Sequence, residues 1–338
     1  MTWTDVLKGD SLTWLMESKS PAVRHAAVRD LLDTPPGGAG YLAVRQAAHA
    51  SGPIAHILDQ MDPEGWWQKP GPGYGPKYRS SVWALQLLAQ LGASVEADAR
   101  IATACRYMLD HALAEGGRFS YNKASGGTFD CLQGNLTWAL LELGYWDERL
   151  AAAFDWLARS QTGEGVAQAG EKHALVKYYA YKCGPNFACG ANGGQPCAWG
   201  AVKVMMAFGK VPLEMRTPLI ERGIQKGVEF LFSVDPATAA YPTPGGIPPN
   251  RAWWKFGFPV FYITDLLQLA HALAALGYGR DARLAKLVDL ILSKQDANGR
   301  WMLEYDYSGK TWLSYGKKGE PSEWVTLRAL KFLKLAFA

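Results

Sequence analysis

The chain has 338 residues, of which 49% are hydrophobic and 20% are charged, and its formal net charge is +4. This is the composition of an ordinary globular protein with enough apolar side chain for a large core. The positive charge is spread along the chain without a basic stripe that would neutralise a row of phosphates, so we expect no nucleic-acid partner. No apolar run reaches the roughly 18 residues of a transmembrane segment. The N-terminus also lacks the basic start and apolar core of a signal peptide, so we expect a soluble, cytoplasmic protein.

The first 50 residues differ in pattern from the rest. The stretch SLTWLMESKSPAVRHAAVRDLLD resembles a HEAT-like helical pair, in which Ser20 caps the second helix and Pro21 is its first residue. We predict that residues 1–50 form an N-terminal helical element that packs on a larger domain, residues 51–338, and adds nothing to its site.

The larger domain contains a repeated pair of helices. Four apolar helices are each predicted to end at a Leu-Gly or Phe-Gly, and an amphipathic helix follows each within a few residues; the glycines are Gly92, Gly144, Gly209 and Gly277. Glycine just past an apolar helix typically takes the left-handed conformation that stops it. Helical hairpins repeated in this way bury their faces by stacking on their neighbours, and a curved stack can close. The sequence therefore predicts an all-α fold, an α/α toroid of about five to six helical hairpins, with the more apolar helix of each pair on the inside.

The connections between these helices are asymmetric. Those from an inner to an outer helix are short, whereas those from an outer to an inner helix are long and rich in Gly, Pro and aromatic residues, as at 62–79, 162–196 and 233–259. Long loops in a compact domain are usually functional. Because all of them fall on one rim of a ring of hairpins, we predict that this rim holds the mouth of the cavity and the site.

A short motif carries a family resemblance. QDANGRW at 295–301 resembles the Gln-x3-Gly-x-Trp repeat of squalene and oxidosqualene cyclases, and weaker copies lie at 60–66, 116–119 and 161–165. With the hairpin plan, this resemblance to the terpenoid cyclase and protein prenyltransferase superfamily implies a toroid whose central cavity binds a small hydrophobic substrate, isoprenoid or aromatic. The acidic motifs of the two cyclase classes are absent. The zinc ligands of the prenyltransferases are matched incompletely, since Asp130 and Cys131 are adjacent and Tyr262 or Asp265 stands where a histidine is expected.

Four cysteines are candidates for a zinc site. Cys183, Cys189 and Cys197 lie in a glycine-rich stretch, and Cys131 begins a neighbouring inner helix on the same predicted rim. Thiolates prefer zinc to magnesium or calcium, and four of them make a tetrahedral site. The alternative is that Cys131 and Cys197 are small residues at helix starts and the others are ordinary loop thiols.

The candidate catalytic residues are Asp265, at an inner-helix start, and His173, in a long loop. Asp265 also fits the Asp-x-x-Gln form of a capping box, and His173 is as readily a solvated loop residue. The aromatic residues of the long-loop rim predict a substrate-binding wall that could stabilise a cation through the ring faces; its candidate members are Tyr78, Trp83, Trp254 and Tyr262.

Together these features favour an enzyme that binds a small hydrophobic substrate and a zinc ion and carries out a lyase, hydratase or isomerase step. One alternative is a non-catalytic toroid that binds a hydrophobic ligand and has a structural zinc, because four thiolates leave zinc no open position. The other is a prenyltransferase-like subunit.

Overall fold

The computed structural model describes residues 2–165 and 183–337, and the regular secondary structure in these ranges is almost entirely helical. The two strands that they contain, β1 (Leu113–Ala114) and β2 (Arg118–Phe119), form a short antiparallel pair. Each helix in the described ranges is too short or too polar to cross a bilayer.

Six helices surround one central cavity, and each contributes residues to its wall. Successive members pack on one another around the ring from α5 to α13, and α13 packs on α2. The predicted α/α toroid is therefore confirmed. The inner helices are α2 (Pro21–Asp30), α5 (Ser81–Gln90), α7 (Asp130–Glu142), α9 (Ala198–Phe208), α11 (Leu266–Leu273) and α13 (Glu323–Phe337).

The remaining helices pack around this ring. Helix α5 is buried on all sides from Ser81 to Ala89, whereas the outer helix α10 buries one stripe that includes Ile220, Ile224 and Leu231. These patterns confirm the predicted inner and outer positions. The remaining helices are α1 (Ser11–Met16), α3 (Ala39–Ala50), α4 (Pro53–Leu58), α6 (Ala99–Ala112), α8 (Arg149–Thr162), α10 (Pro218–Leu231) and α12 (Ala285–Ser293).

The first 50 residues pack on the toroid, and their helix α2 is itself part of the inner ring. Lys334 at the end of α13 donates a hydrogen bond from Nζ to the carbonyl oxygen of Leu31. The Gln295 side chain accepts from the backbone of Lys8 and donates to the carbonyl of Val6. Ala26, Arg29 and Asp30 of α2 line the central cavity, so, contrary to the prediction, this region contributes to the cavity wall.

Three of the four predicted helix-ending glycines have the expected left-handed backbone, with φ of +81° at Gly92, +79° at Gly144 and +92° at Gly277. Gly209 is different, because its φ of −62° is open to any residue. A Cβ at Gly209 would lie 2.9 Å from the Cβ of Ala275, just beyond the end of α11, so its small size serves packing instead.

Two turns of the chain are held by the same type of tryptophan hydrogen bond. The indole N–H of Trp301 donates to the carbonyl of Ile291 at 2.8 Å, and that of Trp67 donates in the same way to Ile57 at 2.8 Å. Both tryptophans are fully buried. The motif copy at 60–66 predicts Trp66 in this role, but the structural equivalent is Trp67, one position later.

Helices α7 and α9 approach each other closely at Gly134. A Cβ at this position would lie 2.6 Å from the backbone nitrogen of Val204 and would also meet the backbone of Lys203. Backbone atoms cannot swing aside as a flexible side chain can, so the two helices can pack at this separation only with glycine there.

We expect Gly134→Ala to lower the free energy of unfolding by about 2 kcal/mol or more, because overpacking forces the two helices apart. Gly40→Ala in α3 is the matched control, since nothing lies within 4 Å of a Cβ there, and we expect it to raise stability by about 0.5 kcal/mol through helix propensity. Urea unfolding of both variants measures the two effects. Equal effects would contradict the close approach.

Candidate functional site: the central cavity

The ring encloses a cavity of about 330 Å³, at the lower end of the range of small-molecule sites. At one end its wall residues are buried, as for Phe258, Val260 and Trp324. At the other end, beside the C-termini of the inner helices, Lys210, Ala275 and other wall residues are exposed. The cavity therefore opens at the rim of the short loops, and the predicted mouth at the long-loop rim is wrong.

The long-loop end is closed by residues 257–261, which we call the plug segment. Polar side chains of the inner helices α5, α7 and α13 bind its backbone, and the one from α13, Arg328, donates to the carbonyl of Gly257 at 2.6 Å. Gln90 accepts from the N–H of Val260 at 2.8 Å and donates to its carbonyl at 2.9 Å, and Asn135 donates to the carbonyl of Phe261 at 3.4 Å. A buried backbone needs such partners, so these side chains fix the segment across the ring.

The cavity wall between the plug segment and the mouth is largely apolar. The Phe258 ring stacks on Trp324 with centroids 4.6 Å apart. Trp138, Met206 and Leu327 add further apolar surface. This wall suits an apolar ligand rather than a charged one.

The mouth, in contrast, is lined by an alternating network of charges. Arg29 lies 2.8 Å from Asp30 and 3.4 Å from Glu142, while Lys210 binds Glu142 and Lys331 lies 3.1 Å from Asp30. Burial acts to raise the pKa of Glu142, but the charges of Lys210, Lys331 and Arg29 outweigh it and lower the pKa to about 2. The network joins α2, α7, α9 and α13 around the entrance.

Asp265 is both a helix cap and an ion-pair partner. Its Oδ1 accepts from the backbone N–H of Gln268 at 2.8 Å, as the capping box predicts. Both oxygens also accept from Arg328, at 2.7 and 2.8 Å. Burial acts to raise the pKa of Asp265, but the Arg328 charge reverses this and holds the pKa below its usual value. The carboxylate is thus ionised and fully engaged, which does not suit a proton donor.

Helix α11 presents two polar side chains to the cavity, Gln268 and His271. Nε2 of His271 lies 2.6 Å from the carbonyl oxygen of Arg328, and Oε1 of Gln268 accepts from Nζ of the fully buried Lys203. Burial lowers the pKa of Lys203 to about 7, although the charge of Asp265 acts in the opposite direction.

The four predicted substrate-binding aromatics lie outside the central cavity. Tyr78 and Tyr262 contact each other through hydroxyls 3.3 Å apart, and Trp83 packs against both rings. Trp254 donates its indole N–H to the carbonyl of Ala237. The first three form a packed aromatic cluster at the closed end, with the Lys77 ammonium 4.7 Å from the Tyr262 ring centroid.

The four cysteines lie in one region but do not converge on one point. Cys183 donates from Sγ to Oδ1 of the buried Asp130 at 2.7 Å, and Cys197 is hydrogen-bonded to the side chain of Cys189. Burial raises the pKa of Cys131 to about 12. Among the described residues, which include all four cysteines, no group of three or more His, Cys, Asp or Glu side chains is placed to hold a metal ion.

Of the two predicted catalytic residues, His173 lies outside the described residues. The polar residues of the cavity wall that sequence reasoning missed include Gln268 and His271. Their spacing of three positions on an apolar helix is a usable signal for a shared face, but His271 resembles an ordinary packed histidine when the sequence is read alone.

No family model matches the chain, and no curated protein matches it. The chain is similar to three solved structures of the type II terpene cyclase MstE from Scytonema. One is the apo structure of a single-residue variant, with 11% identity and a TM-score of 0.33, and the match covers 87% of this chain and 96% of that chain. Another is the apo structure of the enzyme itself, with 13% identity and a TM-score of 0.30, and the match covers 87% of this chain and 97% of that chain. The third is a variant in complex with its substrate, geranylgeranyl dihydroxybenzoate, with 12% identity and a TM-score of 0.32, and the match covers 87% of this chain and 96% of that chain. Similarity at this level establishes neither a family nor an activity for this chain.

We expect Glu142→Gln to destabilise the protein by about 3 kcal/mol at pH 7, because the variant loses the ionised partner of Lys210 and Arg29. The pKa of Glu142 is lower in the folded chain than in the unfolded one. Its stabilisation is therefore complete above pH 4.5 and is lost as the pH falls toward 2. Denaturant unfolding of wild type and variant at pH 7, 5 and 3.5 measures the difference, which should shrink at the lowest pH.

Glu96→Gln is the matched control, because the Glu96 side chain is 70% exposed in its ion pair with Arg45. We expect a change below about 0.5 kcal/mol at every pH. A difference between Glu142→Gln and wild type that does not vary with pH would contradict the ion-pair network.

Proposed function

We propose that the protein is an enzyme of terpenoid cyclase-like fold that binds a small hydrophobic substrate, isoprenoid or aromatic, in the central cavity. The observation that carries the proposal is the cavity itself, which has an apolar wall, one closed end and one open end. A water-exposed apolar wall favours ligands that remove it from water, at roughly 25 cal/mol per Å² of apolar area buried.

The charged mouth and the closed end define how a ligand enters. Lys210 and Lys331 stand beside the opening, so an elongated ligand would place its apolar body against Trp138 and Trp324 and leave any polar end near the mouth or beside α11. Asp265 is occupied by Arg328. The proposed reaction, a lyase, hydratase or isomerase step, therefore rests on groups of the cavity wall.

A non-catalytic toroid that binds the same class of ligand is the second candidate. It is favoured by the engagement of Asp30, Glu142 and Asp265 in ion pairs, which leaves few free acids or bases near the cavity. The two candidates differ in whether a bound probe is converted. Incubation with farnesol, geranylgeraniol and 4-prenylphenol, followed by mass spectrometry, separates product formation from simple retention.

We expect the hydrocarbon β-farnesene to bind and to quench tryptophan fluorescence, since Trp138 and Trp324 line the cavity. Ala275→Trp places a large side chain at the exposed end of the cavity and should abolish binding. Ala151→Trp adds the same side chain at an exposed position of the outer helix α8 and should leave binding unchanged. Equal binding by both variants would show that the probe binds elsewhere.

Zinc binding by Cys131, Cys183, Cys189 and Cys197 stays a separate prediction. The structure brings these cysteines into one region, but Cys183 is bound to Asp130, so a shared metal would require the thiol to leave that carboxylate. We expect one zinc per chain by elemental analysis and its loss in Cys197→Ala, with Cys105→Ala in the core of α6 as the control. A zinc content well below one per chain, with all four thiols open to a thiol reagent, would remove the prediction.

A further inference from the structure

Two polar atoms of the cavity wall have no hydrogen-bond partner within the described part of the chain, Nδ1 of His271 and Nε2 of Gln268. Both residues line the cavity. They lie three positions apart on α11, a spacing that puts two side chains next to each other on one face of a helix.

The partner of His271 fixes its tautomer. Nε2 lies 2.6 Å from the carbonyl oxygen of Arg328. A carbonyl oxygen can only accept, so Nε2 carries the hydrogen and Nδ1 of the neutral ring is an acceptor. Burial, with the charges of Lys331 and Arg328, lowers the pKa of His271 to about 3, which keeps the ring neutral at physiological pH.

The partners of Gln268 fix its amide in the same way. Oε1 accepts from Nζ of Lys203, and the backbone N–H of Gln268 is bound by Asp265. The amide oxygen is therefore engaged, and the two N–H groups of Nε2 are left to donate. An acceptor and a donor thus lie next to each other on the α11 face of the cavity wall.

The acceptor on His271 and the donor on Gln268 together discriminate between the kinds of oxygen that a ligand can carry. A hydroxyl group both donates and accepts, an ether or carbonyl oxygen only accepts, and a hydrocarbon does neither. A buried polar atom left without a partner costs free energy when a ligand removes it from water. Only a ligand with a hydroxyl group satisfies both wall atoms with a single oxygen.

We propose that Gln268 and His271 form a recognition site for the hydroxyl group of a hydrophobic alcohol or phenol. The hydroxyl donates to Nδ1 of His271 and accepts from Nε2 of Gln268. This inference rests on the proposed function, because it requires the apolar part of the ligand to occupy the central cavity. It names the substrate class of that site.

The test compares three probes with the same chain: farnesol, farnesyl methyl ether and β-farnesene. We expect the wild-type protein to bind farnesol about tenfold more tightly than the ether, the effect of one hydrogen bond, and the ether more tightly than the hydrocarbon. His271→Phe should bind farnesol and the ether equally. Gln268→Leu should weaken both relative to farnesene, since both oxygens accept from the amide.

Leu327→Met is the matched control, because Leu327 lines the cavity without a polar group. It should shift all three dissociation constants together and preserve their ratios. A second measurement uses the wild-type protein and so does not depend on the folding of any variant. The ¹⁵N resonance of His271 Nδ1 should shift on addition of farnesol and not on addition of the ether.

The possible outcomes separate the two proposals. If the wild-type protein binds all three probes with equal affinity, or if the His271 resonance does not respond to farnesol, the hydroxyl site is wrong while the hydrophobic cavity stands. If none of the probes binds, the proposed function fails and the hydroxyl site fails with it.

Discussion

The structure depends on hydrogen-bond partners for a backbone segment that crosses the inside of the ring. The plug segment enters the ring, where its amide groups cannot reach bulk water, and Gln90, Asn135 and Arg328 supply the partners. Arg328 can do so because Asp265 neutralises it in a two-point ion pair. The same aspartate caps α11 and thereby sets the orientation of the helix that carries Gln268 and His271. The closed end of the cavity and the polar side chains of α11 thus both depend on one carboxylate.

Much of the fold could be predicted because its signals are local. Apolar helices that end at Gly92, Gly144 and Gly277 indicate hairpins without knowledge of distant contacts, and the Asp-x-x-Gln pattern predicted the cap at Asp265. The shift from Trp66 to Trp67 shows the limit of the motif. Two adjacent tryptophans fit it about equally well, and only the hydrogen bond to Ile57 shows which one is equivalent to Trp301.

The site was less predictable because it depends on which rim is open. Long aromatic loops indicated a mouth, but Tyr78, Trp83 and Tyr262 pack against each other and help to close that end. No local pattern reveals that the chain from 257 to 261 turns inward. The role of His271 depends in turn on the carbonyl of Arg328, 57 positions away in the sequence, which periodicity cannot show.

The place of α2 in the ring has a consequence for the order of folding. Helices α5 to α11 pack on helices one or two places along the chain, chiefly α7 on α9 and α8 on α10, and these contacts form faster than more distant ones. The contact of Lys334 with Leu31, in contrast, joins positions 303 residues apart and bears a large loop-closure entropy. Since α2 and α13 both line the cavity, the cavity does not exist in a partly stacked chain. A ligand present during refolding would therefore bind only after the ring has closed. It would lower the rate at which the ring reopens and leave the rate of assembly unchanged.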